Sequence, residues 1–287
     1  MGYGMDGLWA RARRRLGRNR GARAGLVIVG TLAVAALLAP VLAPQPPGRM
    51  DLDRVLLPPG PGHPLGTDYF GRDMLSRLIY GARVSLTVGV VAQSLSATVG
   101  VTLGLVAGYC GGWTDLVIMR LVELMLCFPD LLLAVGLTVA LGPGPYTLFL
   151  ALGLVGWPGM ARLVRGEALA LRDREFLEAA RATGTGPVRV LWGHLFPNCL
   201  SPVIIAVTGG MAACIMAEAS LSFLGLGAQP PTPSWGSMLN LGRPYLHLAP
   251  HLVIFPGLAI ALAVFGFNLL GDGLRDALDP RRSDFPG

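Results

Sequence analysis

The sequence predicts an all-α protein that crosses a membrane about six times, and three observations carry that reading. Of its 287 residues, 53% are hydrophobic and only 14% charged, with a mean hydropathy of +0.58, whereas a soluble domain is about 25% charged. Six apolar segments come close to the roughly 20 residues that a helix needs to cross a hydrocarbon core of about 30 Å. The basic residues fall mostly to one side of those segments, as expected if positive charge stays at the cytoplasmic face.

Residues 1–23 are a basic N-terminus, "RARRRLGRNRGAR", with the charge of a signal sequence's leading region. The apolar run behind it, 24–43, is about 20 residues long and shows no small-residue cleavage site, so it is expected to remain as a first span. Residues 44–82 form an outer loop. After Asp73, the apolar Met74, Leu75, Leu78 and Ile79 fall on one side of a helix and Arg72, Ser76 and Arg77 largely on the other. This pattern predicts an interfacial helix with its Arg in the lipid head groups or, alternatively, a contact surface for a delivery protein. Spans at 84–109, 116–141, 146–163, 199–225 and 251–271 build a core of 83–271, and residues 272–287 form a C-terminal tail. With the N-terminus inside, seventeen Arg lie on the cytoplasmic side and six (Arg49, Arg54, Arg72, Arg77, Arg83 and Arg243) outside. Both termini are therefore expected in the cytoplasm. The prolines of "FPDLLL", "GWPGM", "FPNCLSP" and "FPGLAI" are each expected to bend or break a helix, which spans tolerate where neighbours or water satisfy the freed backbone.

Several chemistries are disfavoured by what the sequence lacks. All 23 basic residues are Arg, so there is no Lys for a phosphate-binding P-loop or a Schiff base. Any ATP must be bound by another chain. Cys110, Cys127, Cys199 and Cys214 show no CxxC spacing and lie in or beside apolar runs, which predicts buried free thiols. His63, His194, His247 and His251 form no HxxxH pair, and no nucleophile, base and orienter set is visible. The chain is expected to be neither an enzyme nor the holder of a metal or cofactor.

Polar residues inside spans are candidates for the translocation path. Glu218 is either a pore or gate carboxylate or a structural partner for Arg or backbone amides, since an ionised group in the bilayer must face protein, head groups or water. Asp130, beside Pro129, caps a helix break or lines a pore. Gln93 and Ser94 belong to a polar section, "AQSLSATVG", that either wets a pathway or lets helices pack closely. Arg120 and Glu123, three apart, are expected to pair.

The stretch "EFLEAARATGTG", Glu175 to Gly186, interrupts the apolar runs with charge. Asp173 is a plausible N-cap, Glu175 and Glu178 sit in the first turns where the helix dipole favours acids, and Gly184 is placed to stop the helix. Phe176, Ala179, Ala180 and Thr183 recur at i, i+3, i+4 and i+7 and define one face. A helix of about 11 residues is marginal alone, so that face needs a partner. Pro187 is expected to open a second helix that ends at Phe196 and Pro197.

The longer stretch "EAARATGTGPVRVLWGHLFP" resembles the EAA loop of ATP-binding-cassette importer permeases. Glu178, Ala179, Ala180, Gly184 and Pro197 fall on that pattern, while His194 and Phe196 stand where it has Ile and Leu. "GTDYFGRDMLSRLIYGARVSL", "AEASLSFLGLGAQPPTPSWGSML" and "NLLGDGLRDALDPR" look like the C-type permease of the dipeptide, oligopeptide and nickel importers, so the resemblance covers about residues 20–283. It implies a type I importer permease fold in a bacterial inner membrane, with residues 165–197 as the element that couples to ATPases. The implied partners are a second permease in a heterodimer, two cytoplasmic ATPase subunits that bind ATP and Mg, an extracytoplasmic substrate-binding protein and membrane lipid, with no nucleic acid. The implied cargo is a di- or oligopeptide, or alternatively nickel or a metal chelate. A secondary transporter driven by an ion gradient would be expected to show an inverted repeat and midplane carboxylates, and a passive anchor has no need of the EAA spacing.

Overall fold

The computed structural model describes residues 16–278; the basic stretch up to Arg15 and the tail's Arg281 and Arg282 lie outside the described residues. Every regular element among the described residues is helical. The ones used below are, in chain order, α1 (Arg20–Leu37), α2 (Met74–Cys110), α3 (Gly112–Leu126), α4 (Asp130–Leu141), α5 (Pro145–Arg172), α6 (Glu175–Ala182), α7 (Pro187–Val190), α8 (Phe196–Phe223), α9 (Trp235–Gly242) and α10 (His251–Leu278), with short helical turns between some of them. Among the described residues, five helices are long and apolar enough to cross a membrane, or six if α3 and α4 count as one broken span.

The start of α2 departs from expectation. Asp73 caps the helix, its Oδ2 accepting the Ser76 N–H at 2.8 Å and the Ser76 hydroxyl at 2.7 Å. The amphipathic stretch is therefore the opening of a span, unbroken for 37 residues. It is not a separate interfacial helix, and Arg72 and Arg77 do not reach for head groups: both are buried, because Asp68 gives them a charge partner inside the protein.

Prolines act less uniformly than the sequence predicts. At "FPD" the chain turns by 88° between α3 and α4, since Pro129 disfavours a helical Phe128 and itself sits in an extended conformation. The segment 116–141 is thus a bent pair. Pro158, Pro202 and Pro256 instead lie within continuous helices. The helix opened by Pro187 does not stop at Pro197 either. A π turn, Leu191–Leu195, joins α7 to α8, with the Phe196 N–H donating to the Leu191 carbonyl. The wider turn leaves room for a ring that would clash in a regular helix.

The core is built on close helix contacts. Gly100, Gly104 and Gly108 repeat every four residues along one face of α2, against α5. A Cβ at Gly104 would stand 2.6 Å from the Ala161 carbonyl, and one at Gly108 2.5 Å from the Ala168 Cβ. Small residues let backbones approach where lipid supplies no hydrophobic drive. The α1–α10 contact follows the same rule through Gly25, Gly266 and Gly273. Outward faces stay apolar, with Val27, Leu37, Leu132 and Phe265 all exposed, as suits a surface in lipid or against another membrane subunit.

Candidate functional site

Helix α6 is closed by a Schellman turn. The Thr185 N–H donates to the Ala180 carbonyl at 3.1 Å and the Gly184 N–H to the Arg181 carbonyl at 2.9 Å. Gly184 adopts φ +76° there, with nothing near an added Cβ, so its requirement is conformational. Asp173 is not the N-cap. That position belongs to Arg174, which makes no side-chain cap bond, while Asp173 ends α5 and lies 3.4 Å from Arg172.

The helix has two faces, and they are not those the periodicity assigns. Leu177 and Ala180 are buried in a cluster with Leu105, Val164, Val190 and Leu195. Ala180 is thus part of the chain's own core. Phe176, Glu178, Ala179 and Thr183 remain exposed. Next to them, Gly184 to Arg189 together with Trp192 and Gly193 line an open groove, with Val188 and Trp192 exposed in it. Trp192 is a feature the sequence reading missed; an aromatic between two charged turns was the available signal. Pro197 lies half-buried in the first turn of α8 and contributes the joint, not the surface.

A second feature is a cavity of about 560 Å³ between α2, α4, α5 and α8. Gln93, Ser96, Asp130, Met160, Gly210 and Ser220 are among its walls. Of the four pore candidates, Gln93 and Asp130 meet there. Ser94 points elsewhere, as a neighbour on a helix must, and is exposed. Glu218 is fully buried outside the lining, its carboxylate accepting from the Ser85 hydroxyl at 2.8 Å and the Ser222 hydroxyl at 2.6 Å. The Trp235 N–H donates to Ser85 Oγ at 3.4 Å, so Glu218 ties α2, α8 and the start of α9 together. Among the described residues its partners are serine hydroxyls, and neither Arg nor backbone amides are included.

The opposite end of α2 carries a folded lobe. Asp68 receives the Phe70 N–H at 2.8 Å and the Arg72 N–H at 3.0 Å on Oδ1, and Arg72 Nε at 2.6 Å on Oδ2. Arg77 Nε lies 3.4 Å from the same oxygen, and Arg77 also donates to the Pro47 carbonyl at 3.1 Å. His63 pairs through Nδ1 with Asp73 at 3.0 Å. Arg120 and Glu123 pair as expected, at 2.7 Å on the surface. An unforeseen pair, Arg165 with Asp115, ties α5 to α3. Cys199 and Cys214 are buried, but Cys110 and Cys127 are exposed because they sit at helix ends.

Residues 100–284 match the family described as the inner membrane component of binding-protein-dependent transport systems. The chain belongs to that family. Residues 7–59 match the N-terminal transmembrane domain of oligopeptide transport permease C, which makes this binding-protein-dependent permease a C-type subunit of the ATP-binding-cassette importers. The Dipeptide transport system permease protein DppC of Alkalihalophilus pseudofirmus is 43% identical over 273 residues, 95% of this chain and 90% of the relative. DppC of Bacillus subtilis is 44% identical over 270 residues, 93% and 84% of the two chains. The Glutathione transport system permease protein GsiD of Pectobacterium atrosepticum is 41% identical over 269 residues, 94% and 89%. The permease is thus a multi-pass inner-membrane protein that works with ATPase and substrate-binding partners.

Proposed function

We propose that this permease forms half of a translocation pathway for di- or oligopeptides, paired with a second permease and driven by two ATPase subunits that bind ATP and Mg. In this reading α6 and its groove are held by an ATPase subunit. Phe176, Glu178, Ala179 and Thr183 present the contact, and Gly184 sets the turn. The observation that carries the reading is the double-sidedness of α6. Leu177 and Ala180 share one buried cluster with Met160, and Met160 is also a cavity wall. A displacement of α6 therefore moves the wall of the cavity through packed side chains, which is how closure at a distant nucleotide site becomes opening of a path. The peptide cargo is supported by what the relatives are named for.

Gly184→Val tests this. The β-branched residue opposes positive φ at a cost of about 1–2 kcal/mol, while Gly184→Asn tolerates that conformation. In proteoliposomes with the partner subunits, Gly184→Val should reach the membrane normally yet lose most ATP-driven uptake of labelled dipeptide, and Gly184→Asn should retain it. Uptake by Gly184→Val equal to that of the parent would refute the coupling role, and no dipeptide uptake by the parent would refute the cargo.

The Arg distribution supports both termini inside, with α6 on the cytoplasmic side and the 226–250 segment outside. In a background with Cys110 and Cys127 replaced by Ser, a Cys at exposed Leu248 should react with a membrane-impermeant thiol reagent in intact cells, and one at Gly186 should not. The reverse pattern would invert the topology.

A further inference from the structure

The cavity wall carries a single charged side chain, Asp130. Asp130 is exposed within this chain, and its position along the fold is midway through the bundle. Helix α3 runs 15 residues, about 22 Å, before the bend that leads to it, and the other wall residues Gln93, Met160 and Gly210 fall near the middles of α2, α5 and α8. A carboxylate at that depth is costly and persists where it meets water, a cation or a ligand. Asp130 opens α4 as the acid of its first turn, where the helix dipole favours it. Among the described residues it has no ion pair or hydrogen bond within the chain, so both its oxygens are uncommitted. Facing the same space is Gln93, 6% exposed, whose Oε1 lies 3.6 Å from the Cys214 thiol. Among the described residues its Nε2 donors have no hydrogen-bond partner. Gly210 leaves the amide its room, since a Cβ there would stand 2.4 Å from Oε1.

We propose that Asp130 and Gln93 form a polar handle for peptides in transit: Asp130 takes the ammonium group and the Gln93 amide donates to a peptide carbonyl or carboxylate. The proposal rests on reading the cavity as a peptide pathway. The lining offers one anion and no cation, so this half of the pathway favours peptides with a free ammonium or an added positive charge over those with net negative charge.

The test uses the complete transporter in proteoliposomes with its binding protein, and compares uptake of Ala-Lys, Ala-Ala and Ala-Asp. Each rate of the Asp130→Asn complex is divided by the parent's rate for the same peptide, so that the preference of the binding protein cancels. The ratio should fall about tenfold for Ala-Lys, less for Ala-Ala, and least for Ala-Asp. Asp130→Glu should restore the parent's order. Ratios near one for all three peptides, or a uniform loss that Asp130→Glu does not restore, would overturn the handle while leaving the pathway reading intact. A parent complex that takes up none of the three would overturn both.

Discussion

Replacing Asp68 with Asn should remove most of the permease from the membrane. Asp68, Arg72 and Arg77 are 3%, 2% and 3% exposed, and the one carboxylate answers both guanidinium groups, at 2.6 Å and 3.4 Å. Without its charge, two cations remain buried with the Tyr69 hydroxyl, the Pro47 carbonyl and nearby aromatic rings as their remaining partners. Breaking a buried ion pair from one side costs about 3–5 kcal/mol, a large share of the roughly 5–15 kcal/mol that holds a typical domain. The same physics makes a second statement. Replacing all three residues together by apolar ones should cost less than replacing Asp68 alone, because no charge is then left unanswered. Membrane abundance and thermal stability in detergent check both, and an Asp68→Asn protein present at parental level would show that the cluster is dispensable.

Ala179→Glu, by contrast, should leave the protein in place and disable it. Ala179 is exposed on α6 beside Phe176, which is 41% exposed, so a longer side chain there can extend away from the buried cluster. In the proposed complex it places an unpaired charge in the contact with the ATPase. Phe176→Ala removes the aromatic anchor from the same contact, and anchors of that kind carry about 2 kcal/mol or more, roughly thirtyfold in affinity. Both variants should show normal membrane levels, loss of ATPase on purification and loss of uptake. Full retention of the ATPase by both would move the docking surface elsewhere. Ala180→Glu is the wrong substitution for this purpose, since Ala180 packs inside the core and its loss would unfold the region.

Hydrophobic runs and Arg placement made the spans legible, because both report the bilayer directly. The coupling loop was legible because its residues keep a fixed spacing. The faces of α6 were not. Periodicity found a stripe through Phe176 and Ala180, but Leu177 takes the buried side, since α6 rests on a cluster from four other helices that its own eight residues do not encode. The proline of "FPDLLL" marked the bend between α3 and α4, but hydropathy did not show the start of α2 ahead of its apolar run. That start needs Asp73 as a cap and Asp68 as a counter-charge. Glu218 and Asp130 both read as acids in a membrane. Only the fold separates the one enclosed by serine hydroxyls from the one left open in a cavity.

Helix α2 joins the two ends of the molecule without interruption. At 37 residues it is about 55 Å long, nearly twice the thickness of a hydrocarbon core of about 30 Å. The usual tilt of about 20° shortens its reach only slightly, so it overhangs the lipid by some 20 Å in all. No break in the helix separates its two ends. Leu105 near one tip touches the cluster that holds α6, and Met74 at the other anchors the folded lobe. In the proposed coupling, a stroke at the first tip would be carried toward the second along one continuous helix, whatever the thickness of the bilayer between them.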